Sequence, residues 1–218
     1  MATSSESPAR EQGSMTSAIV VGAVTVLALL GIAQGVSIAA RAATDATWVV
    51  SVPVRVTPSL PDDMPQTGLI VDETATMERM PTAPGGGLMM WLEHADPLTA
   101  RLAAAPGWIA WLTAGVVVLL LLPVVRSTSS GRPFAAGNAG RVTATALTVA
   151  AGWALATALP VLAARRAVER ELGNVPAAWF EPRLELQWWP VAFAGALVVL
   201  ALAVRHGTKV VADTDALA

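Results

Sequence analysis

The chain has 218 residues, of which 54% are hydrophobic and only 14% are charged, with a formal net charge of −2 and no Cys. Its mean hydropathy is +0.57, and a soluble domain would carry about 25% charged residues. The charge argues against an electrostatic nucleic-acid interface. The lack of Cys excludes disulfides, thiol nucleophiles and Cys-ligated metals. Because the apolar residues form long uncharged runs, the sequence predicts a membrane protein.

The first apolar run follows a polar segment, residues 1–16, that predicts a disordered cytoplasmic tail. Residues 17–40 carry no charge, and at about 1.5 Å per residue they are long enough to cross a bilayer. We therefore predict a first transmembrane helix over residues 17–41. A cleaved signal peptide is the alternative, because Ala40-Arg41-Ala42 resembles a cleavage site. The run exceeds the roughly 7–15 residues of a signal-peptide core, which favours the helix.

The next segment, residues 42–106, is acidic and predicts a small water-facing cap. Residues 48–56 alternate in the manner of a strand, and Pro53 favours an edge position because it cannot donate a hydrogen bond. A second strand is predicted over residues 68–77, and a flexible break at residues 84–87. Asp96 and Pro97 predict the N-cap and first turn of a short helix that ends at Pro106-Gly107.

Three more spans are predicted over residues 107–125, 142–164 and 188–204. A basic connector (residues 126–141) and a loop (residues 165–187) separate them, and a polar tail (residues 205–218) follows. The predicted fold class is an α-helical integral membrane protein. It is a four-transmembrane-helix bundle with a small extracytoplasmic strand-plus-helix cap between helices 1 and 2.

The basic connector predicts the orientation. It carries three Arg and no acid, so the positive-inside rule places it in the cytoplasm with both termini. Four Arg near the opposite span ends count against this orientation: Arg41, Arg101, Arg165 and Arg166. The rule gives most weight to short loops, which favours the connector. An aromatic belt on the opposite side predicts two distinct faces, and it comprises Trp48, Trp108, Trp111, Trp188 and Trp189.

Small residues at a spacing of four predict close helix packing in the first and third spans. They are Gly31 and Gly35 in the first span, and Ala146, Ala150, Ala154 and Ala158 in the third. Packing within the bundle is the first interpretation. A homo-oligomer or partner contact through the same faces is the alternative.

The search for chemistry is negative. Apart from Arg41, the last residue of the first span, no ionisable residue lies in a predicted span, which argues against a pump or coupled transporter. His94 beside Glu93 and Asp96 is typical of a solvated helix start, and Asp62-Asp63 lies in a proline-rich loop without a partner base. We therefore expect no catalytic residue, metal site or cofactor.

The basic connector is the candidate contact site for lipid or a partner. Gly131 and Pro133 predict a turn, Phe134 a residue at the headgroup level, and Asn138 a cap for the third span. Anchoring of Arg126, Arg132 and Arg141 to lipid phosphates is the first interpretation. Docking of a cytoplasmic partner is the second.

The pattern Gly131-x-Pro133-Phe134-x-x-x-Asn138-x-x-Arg141 resembles the G-x-P-F…N-x-x-R-L-R motif of an uncharacterised bacterial four-span membrane family, domain of unknown function 2975 (DUF2975). The tail that begins Gly207-Thr208-Lys209-Val210 is similar to that family's G-x-x-L-x-x-D/E ending. Val142, Thr143 and Val210 depart from the pattern. The resemblance implies four spans, an external segment after the first and no catalytic residues. Members of that family are often encoded beside a small helix-turn-helix regulator, so the resemblance also implies a cytoplasmic regulatory partner. The charge of the chain argues against direct nucleic-acid contact.

Two functions remain open. The first is a non-enzymatic multi-pass membrane protein that acts through a cytoplasmic regulatory partner. The second is a structural or accessory subunit of a larger membrane complex. Co-purification with one small soluble protein would favour the first, and co-purification with a large assembly the second.

Overall fold

The computed structural model describes residues 8–44, 49–56, 69–72, 75–79, 88–92, 95–135, 137–170, 180–184 and 186–215. The helices are α1 (Pro8–Thr44), α2 (Pro97–Ala103), α3 (Ala105–Ser129), α4 (Asn138–Arg170) and α5 (Trp189–Asp215). The strands are β1 (Val50–Val56), β2 (Leu69–Asp72), β3 (Ala75–Arg79), β4 (Leu88–Leu92) and β5 (Phe180–Pro182).

Four of the helices are long and apolar enough to cross a membrane: α1 from Ile19, α3, α4, and α5 up to Val210. They direct large apolar side chains outward. Leu27 is 66% exposed and Val199 is 68% exposed. Such exposure is unfavourable in water, at about 25 cal/mol per Å² of apolar surface, but not in lipid. The mostly helical architecture, with four helices that could span a membrane, therefore agrees with the prediction from composition.

The helices are longer than the predicted spans. Helix α1 begins at Pro8, so the prediction of a disordered tail over residues 1–16 is wrong from Pro8 onward; residues 1–7 lie outside the described residues. Helix α4 continues through residues 165–170, and α5 continues to Asp215. The predicted spans end where charged residues begin, because hydropathy detects only the apolar part of a helix. The extensions contain Ala, Arg and Glu, which are good helix formers, so the helices continue beyond the ends of the spans.

The chain divides into two compact units. The first unit consists of Met1–Ala33, Thr113–Ala150 and Val191–Ala218. Its buried core is formed by Val142 and Ala146 of α4 with Leu197 and Ala201 of α5. Half-buried apolar side chains of α3 and α4 pack against it: Leu121, Val124 and Val149. The connector between α3 and α4 belongs to this unit.

The second unit consists of Gln34–Leu112 and Ala151–Pro190, and it contains a five-stranded sheet in the order β2-β3-β4-β1-β5. All neighbouring strands are antiparallel. The strand predicted at residues 48–56 is present as β1, but residues 68–77 contribute two paired strands, β2 and β3, instead of one. Strands β4 and β5 were not predicted. Because β5 follows α4, the sheet is not built only from the segment after α1.

Pro53 does not lie on an edge strand, contrary to the sequence prediction. Strand β1 lies between β4 and β5, and Pro53 faces Met89 of β4. The Pro53 carbonyl accepts a hydrogen bond of 3.1 Å from the Arg183 N–H, just past the end of β5. In an antiparallel sheet the N–H and C=O of a residue point to the same neighbour. The missing donor of Pro53 therefore faces the end of β5 and costs no bond to β4.

One face of the sheet forms the core of the second unit. Val52, Val54 and Met90 are fully buried there. They belong to one apolar cluster with Ala100 of α2 and with four residues of α4: Ala163, Ala164, Ala167 and Val168. The α4 residues are small because a helix that lies on a sheet needs short side chains at the closest approach. The α4 extension that hydropathy assigned to a loop thus supports the sheet.

The short helix α2 begins as predicted. The Asp96 side chain caps it by accepting from the Thr99 N–H at 3.4 Å, and Pro97 occupies the first turn. The helix ends at Ala103 instead of Pro106, because Pro106 lies in the first turn of α3. Proline is tolerated there because the N–H groups of a first turn have no helical partner.

Candidate functional site

The connector begins with a specific helix termination. The Arg132 N–H donates to Ser127 O at 2.8 Å and the Gly131 N–H donates to Thr128 O at 3.0 Å. These two bonds form a Schellman motif, and Gly131 has the positive φ of 76° that this motif requires. The turn predicted at Gly131 is therefore present. Helices α3 and α4 take up the two ends of the connector, so only residues 130–137 lie between the helices.

Asn138 holds the connector together. It is fully buried, and its Nδ2 donates to Ser127 Oγ at 2.6 Å and to the Pro133 carbonyl at 3.0 Å. Its Oδ1 accepts from Arg141 Nη1 at 3.4 Å. The prediction that Asn138 caps the helix is not supported: Asn138 is the first residue of α4, and its amide joins the end of α3 to the turn. A buried amide needs such partners because its desolvation is costly.

Phe134 contacts α5. An added Cβ at Gly207 would lie 2.7 Å from Phe134 Cδ1, closer than Cβ atoms approach a ring. The Thr208 hydroxyl donates to Val204 O at 2.8 Å and lies 3.4 Å from the Phe134 carbonyl. The two stretches that carry the family resemblance, around Phe134 and around Gly207, are therefore in direct contact. We call this pair of contacts the connector–α5 contact.

The cationic side chains of this region point outward. Arg126, Arg132 and Arg141 of the connector are exposed, and so are Arg205, His206 and Lys209 of α5. Phe134 keeps 41% of its surface exposed. The connector therefore presents a hydrogen-bonded backbone with positive charge and one aromatic ring on its surface. This combination suits an anionic surface, whether lipid phosphates or carboxylates of a protein.

The predicted packing residues have different surroundings. Gly31 and Gly35 are buried, and a Cβ at Gly35 would lie 2.8 Å from the Trp108 carbonyl of α3. Ala146 is 2% exposed and Ala150 is half-buried. Ala154 and Ala158 are exposed, so within this chain the close packing of α4 does not include them. Their surface remains available to lipid or to another chain.

Sequence reasoning missed a second close approach between helices. A Cβ at Gly115 of α3 would lie 2.8 Å from the Ala28 carbonyl of α1. Gly115 has no partner glycine at a spacing of four, so it did not attract notice. The only hint in the sequence was that Ala28, the residue Gly115 approaches, is itself small and lies three residues before Gly31.

An ion pair fixes the start of α2 in the second unit. Arg166 Nη2 lies 3.0 Å from Asp96 Oδ2. The hydrogen bond from Arg166 lowers the pKa of Asp96, and the backbone N–H groups at the helix start add to this effect. A second ion pair joins Arg55 of β1 to Glu181 of β5. Both pairs link segments distant in sequence, so neither could be found by spacing.

No cluster of three or more His, Cys, Asp or Glu side chains that could hold a metal occurs among the residues the structure describes. His94, Asp62 and Asp63 lie outside those residues, as does Trp48. The chain matches no family model, no curated protein and no solved structure.

Proposed function

We propose that the protein is a multi-pass protein of the bacterial cytoplasmic membrane that acts without catalysis, through a soluble regulatory partner bound at its cytoplasmic face. In this proposal the connector and both termini lie in the cytoplasm and the sheet lies outside. A relation to the DUF2975 family is part of the proposal.

The observation that carries it is the order of the connector, which combines the buried amide of Asn138 with the connector–α5 contact. A loop whose role is only to connect two helices does not require a buried side-chain amide or an aromatic ring packed against a glycine. Here Asn138 bonds to the end of α3 and to the turn, and Phe134 packs on α5, while the Arg side chains are exposed. A preorganised surface loses less entropy on binding, so this arrangement favours recognition of a partner.

The orientation is tested by labelling single cysteines, which is possible because the natural chain has none. We expect Thr82→Cys to react with a membrane-impermeant thiol reagent in intact cells. Ser129→Cys should react only after permeabilisation. The reverse pattern would show that the connector is outside.

Partner binding is tested with the full chain in mild detergent, by affinity capture and mass spectrometry. We expect Arg132→Ala to remove one small soluble protein, because loss of an interfacial Arg–carboxylate contact costs about 2–5 kcal/mol. A cation that only faces anionic lipid contributes about 1 kcal/mol. The matched control is Arg170→Ala, an exposed Arg of α4 in the second unit. Identical captured proteins for both variants and the natural chain would refute docking at Arg132 and leave lipid anchoring as the role of the connector.

The alternative function is that of an accessory subunit in a larger membrane complex or a homo-oligomer. The exposed small residues Ala154 and Ala158 favour it, because a helix surface of this kind allows close approach of another helix in lipid. Capture of a stable membrane assembly, lost on Ala158→Leu and retained on Arg132→Ala, would support this alternative over the first.

A further inference from the structure

A groove of about 290 Å³ lies in the second unit, where α1 ends, β1 begins and α2 meets α3. Ser51 supplies its one polar side chain. The apolar lining includes Ile38, Val49, Ala104, Pro106 and Gly107. None of the features discussed above uses this groove.

The groove lies at the ends of two candidate spans. Ile38 belongs to the apolar part of α1, and Pro106 and Gly107 form the first turn of α3. In a bilayer these positions lie near the boundary between hydrocarbon and headgroups. The groove is therefore accessible to the chains of membrane lipids.

We propose that this groove binds one acyl chain of an anionic phospholipid. Its volume of about 290 Å³ is just below the roughly 300–1,000 Å³ typical of ligand pockets, which suits a single alkyl chain. An alkyl chain needs no hydrogen-bond partner, whereas a peptide would have to satisfy its N–H and C=O groups against a lining in which Ser51 is the one polar side chain.

Two exposed cations account for the choice of headgroup. Arg41 lies in the last turn of α1, three residues after Ile38. Arg101 lies in the last turn of α2, three residues before Ala104. Each cation is therefore within about one helical turn of a lining residue along the chain. Guanidinium groups bind phosphate through paired hydrogen bonds. The Trp108 Nε1 donates to the Arg101 carbonyl at 3.1 Å, which steadies the corner between α2 and α3.

The test uses the full chain in vesicles that contain phosphatidylglycerol with a photoactivatable group in one acyl chain. After illumination, adducts are mapped by mass spectrometry. We expect them to concentrate in residues 49–51 and 103–107. Gly107→Leu should reduce them by at least about fivefold, because the new side chain fills the pocket that the acyl chain needs.

The matched control is Gly195→Leu. An added Cβ meets nothing within 4 Å at Gly107 or at Gly195, but only Gly107 lines the groove. The control should keep the adducts of the natural chain. If Gly107→Leu does not fold, the adduct map of the natural chain still tests the proposal. Adducts distributed uniformly along all four long helices would overturn it.

A second probe tests the headgroup. We expect a phosphatidylcholine analogue to label the groove less than phosphatidylglycerol, and the difference to disappear in Arg41→Gln/Arg101→Gln. Equal labelling of the natural chain by both lipids would overturn the anionic preference. The proposal needs only a membrane location, so failure of partner capture at Arg132 leaves it unaffected.

Discussion

The connector and the sheet use positive charge in opposite ways. In the second unit, Arg166 and Arg55 are engaged in ion pairs with Asp96 and Glu181. In the connector, Arg126 and Arg132 are exposed, and backbone and amide hydrogen bonds give the loop its shape. Two cations of the second unit are thus engaged within the chain. The connector is ordered mainly by backbone and amide hydrogen bonds, which leaves the side chains of Arg126 and Arg132 for another surface.

The two regions also differ in the kind of side chain that is buried in each. The sheet has an apolar core in which Val52 and Met90 are fully buried. The connector is too short for such a core, and its most buried side chain is the amide of Asn138. Apolar packing tolerates many similar residues, whereas a buried amide must be matched by partners. We therefore expect the connector to be the more sensitive to small chemical changes, and the sheet to losses of volume.

The largest effect is expected in the core of the sheet. Met90→Ala should lower the free energy of unfolding by about 2–5 kcal/mol, because it leaves a cavity in a filled core. Met89→Ala is the control, since Met89 is half-buried on the opposite face. Denaturation of both variants in detergent measures the difference. Equal losses would mean that the buried face is not the core of this unit.

The next effect is expected at the buried amide. Asn138→Ala should cost about 1–3 kcal/mol, because Ser127 and Pro133 lose their partner. Thr143→Ala is the control on the same helix, since Thr143 is exposed and bonds only to the Ala139 carbonyl one turn before it. The loss should appear together with faster proteolysis of the connector. A connector that resists protease unchanged would indicate that Asn138 does not order it.

A smaller effect is expected at the connector–α5 contact. Gly207→Ala should destabilise by about 1 kcal/mol, because the added methyl group overlaps the Phe134 ring. Gly195→Ala on the same helix should be stabilising by about 0.5–1 kcal/mol, because the methyl group has space and Ala favours the helix. In a chain that already carries Phe134→Ala, adding Gly207→Ala should cost nothing. A drop in thermal stability of equal size with and without Phe134→Ala would place the strain elsewhere.

The smallest effect concerns the ion pair of Asp96. Asp96→Asn keeps a capping side chain but loses the charge, and an exposed pair contributes about 0.2–1 kcal/mol. Because folding lowers the pKa of Asp96, this contribution is present above the unfolded pKa of about 3.9 and is lost as the pH falls through the lower folded value. Melting curves at neutral pH should separate the variant from the natural chain. The two should converge in acid, and a gap that persists there would point to the cap instead.

The chain's own sequence determined the four apolar helices, the start of α2 at Asp96, the strand at β1 and the turn at Gly131. Each of these depends on neighbouring residues: a run without charge, a capping side chain before Pro97, an alternation, a glycine. Signals of this kind depend only on residues that are close together in the sequence, so they can be recognised without knowledge of the fold. The basic connector was found in the same way, from its lack of acid.

Only the tertiary structure decided which of these residues meet. Hydropathy ended the predicted third span at residue 164, whereas α4 continues to Arg170 because Ala163 and Ala167 pack on the sheet. Pro53 was expected on an edge, but β5 arrives from a segment more than a hundred residues later. Phe134 meets Gly207, and Asn138 lies between Ser127 and Pro133, through contacts that no spacing rule describes. The physical reason is the same in each case: burial and hydrogen bonding depend on which distant segment fills the space.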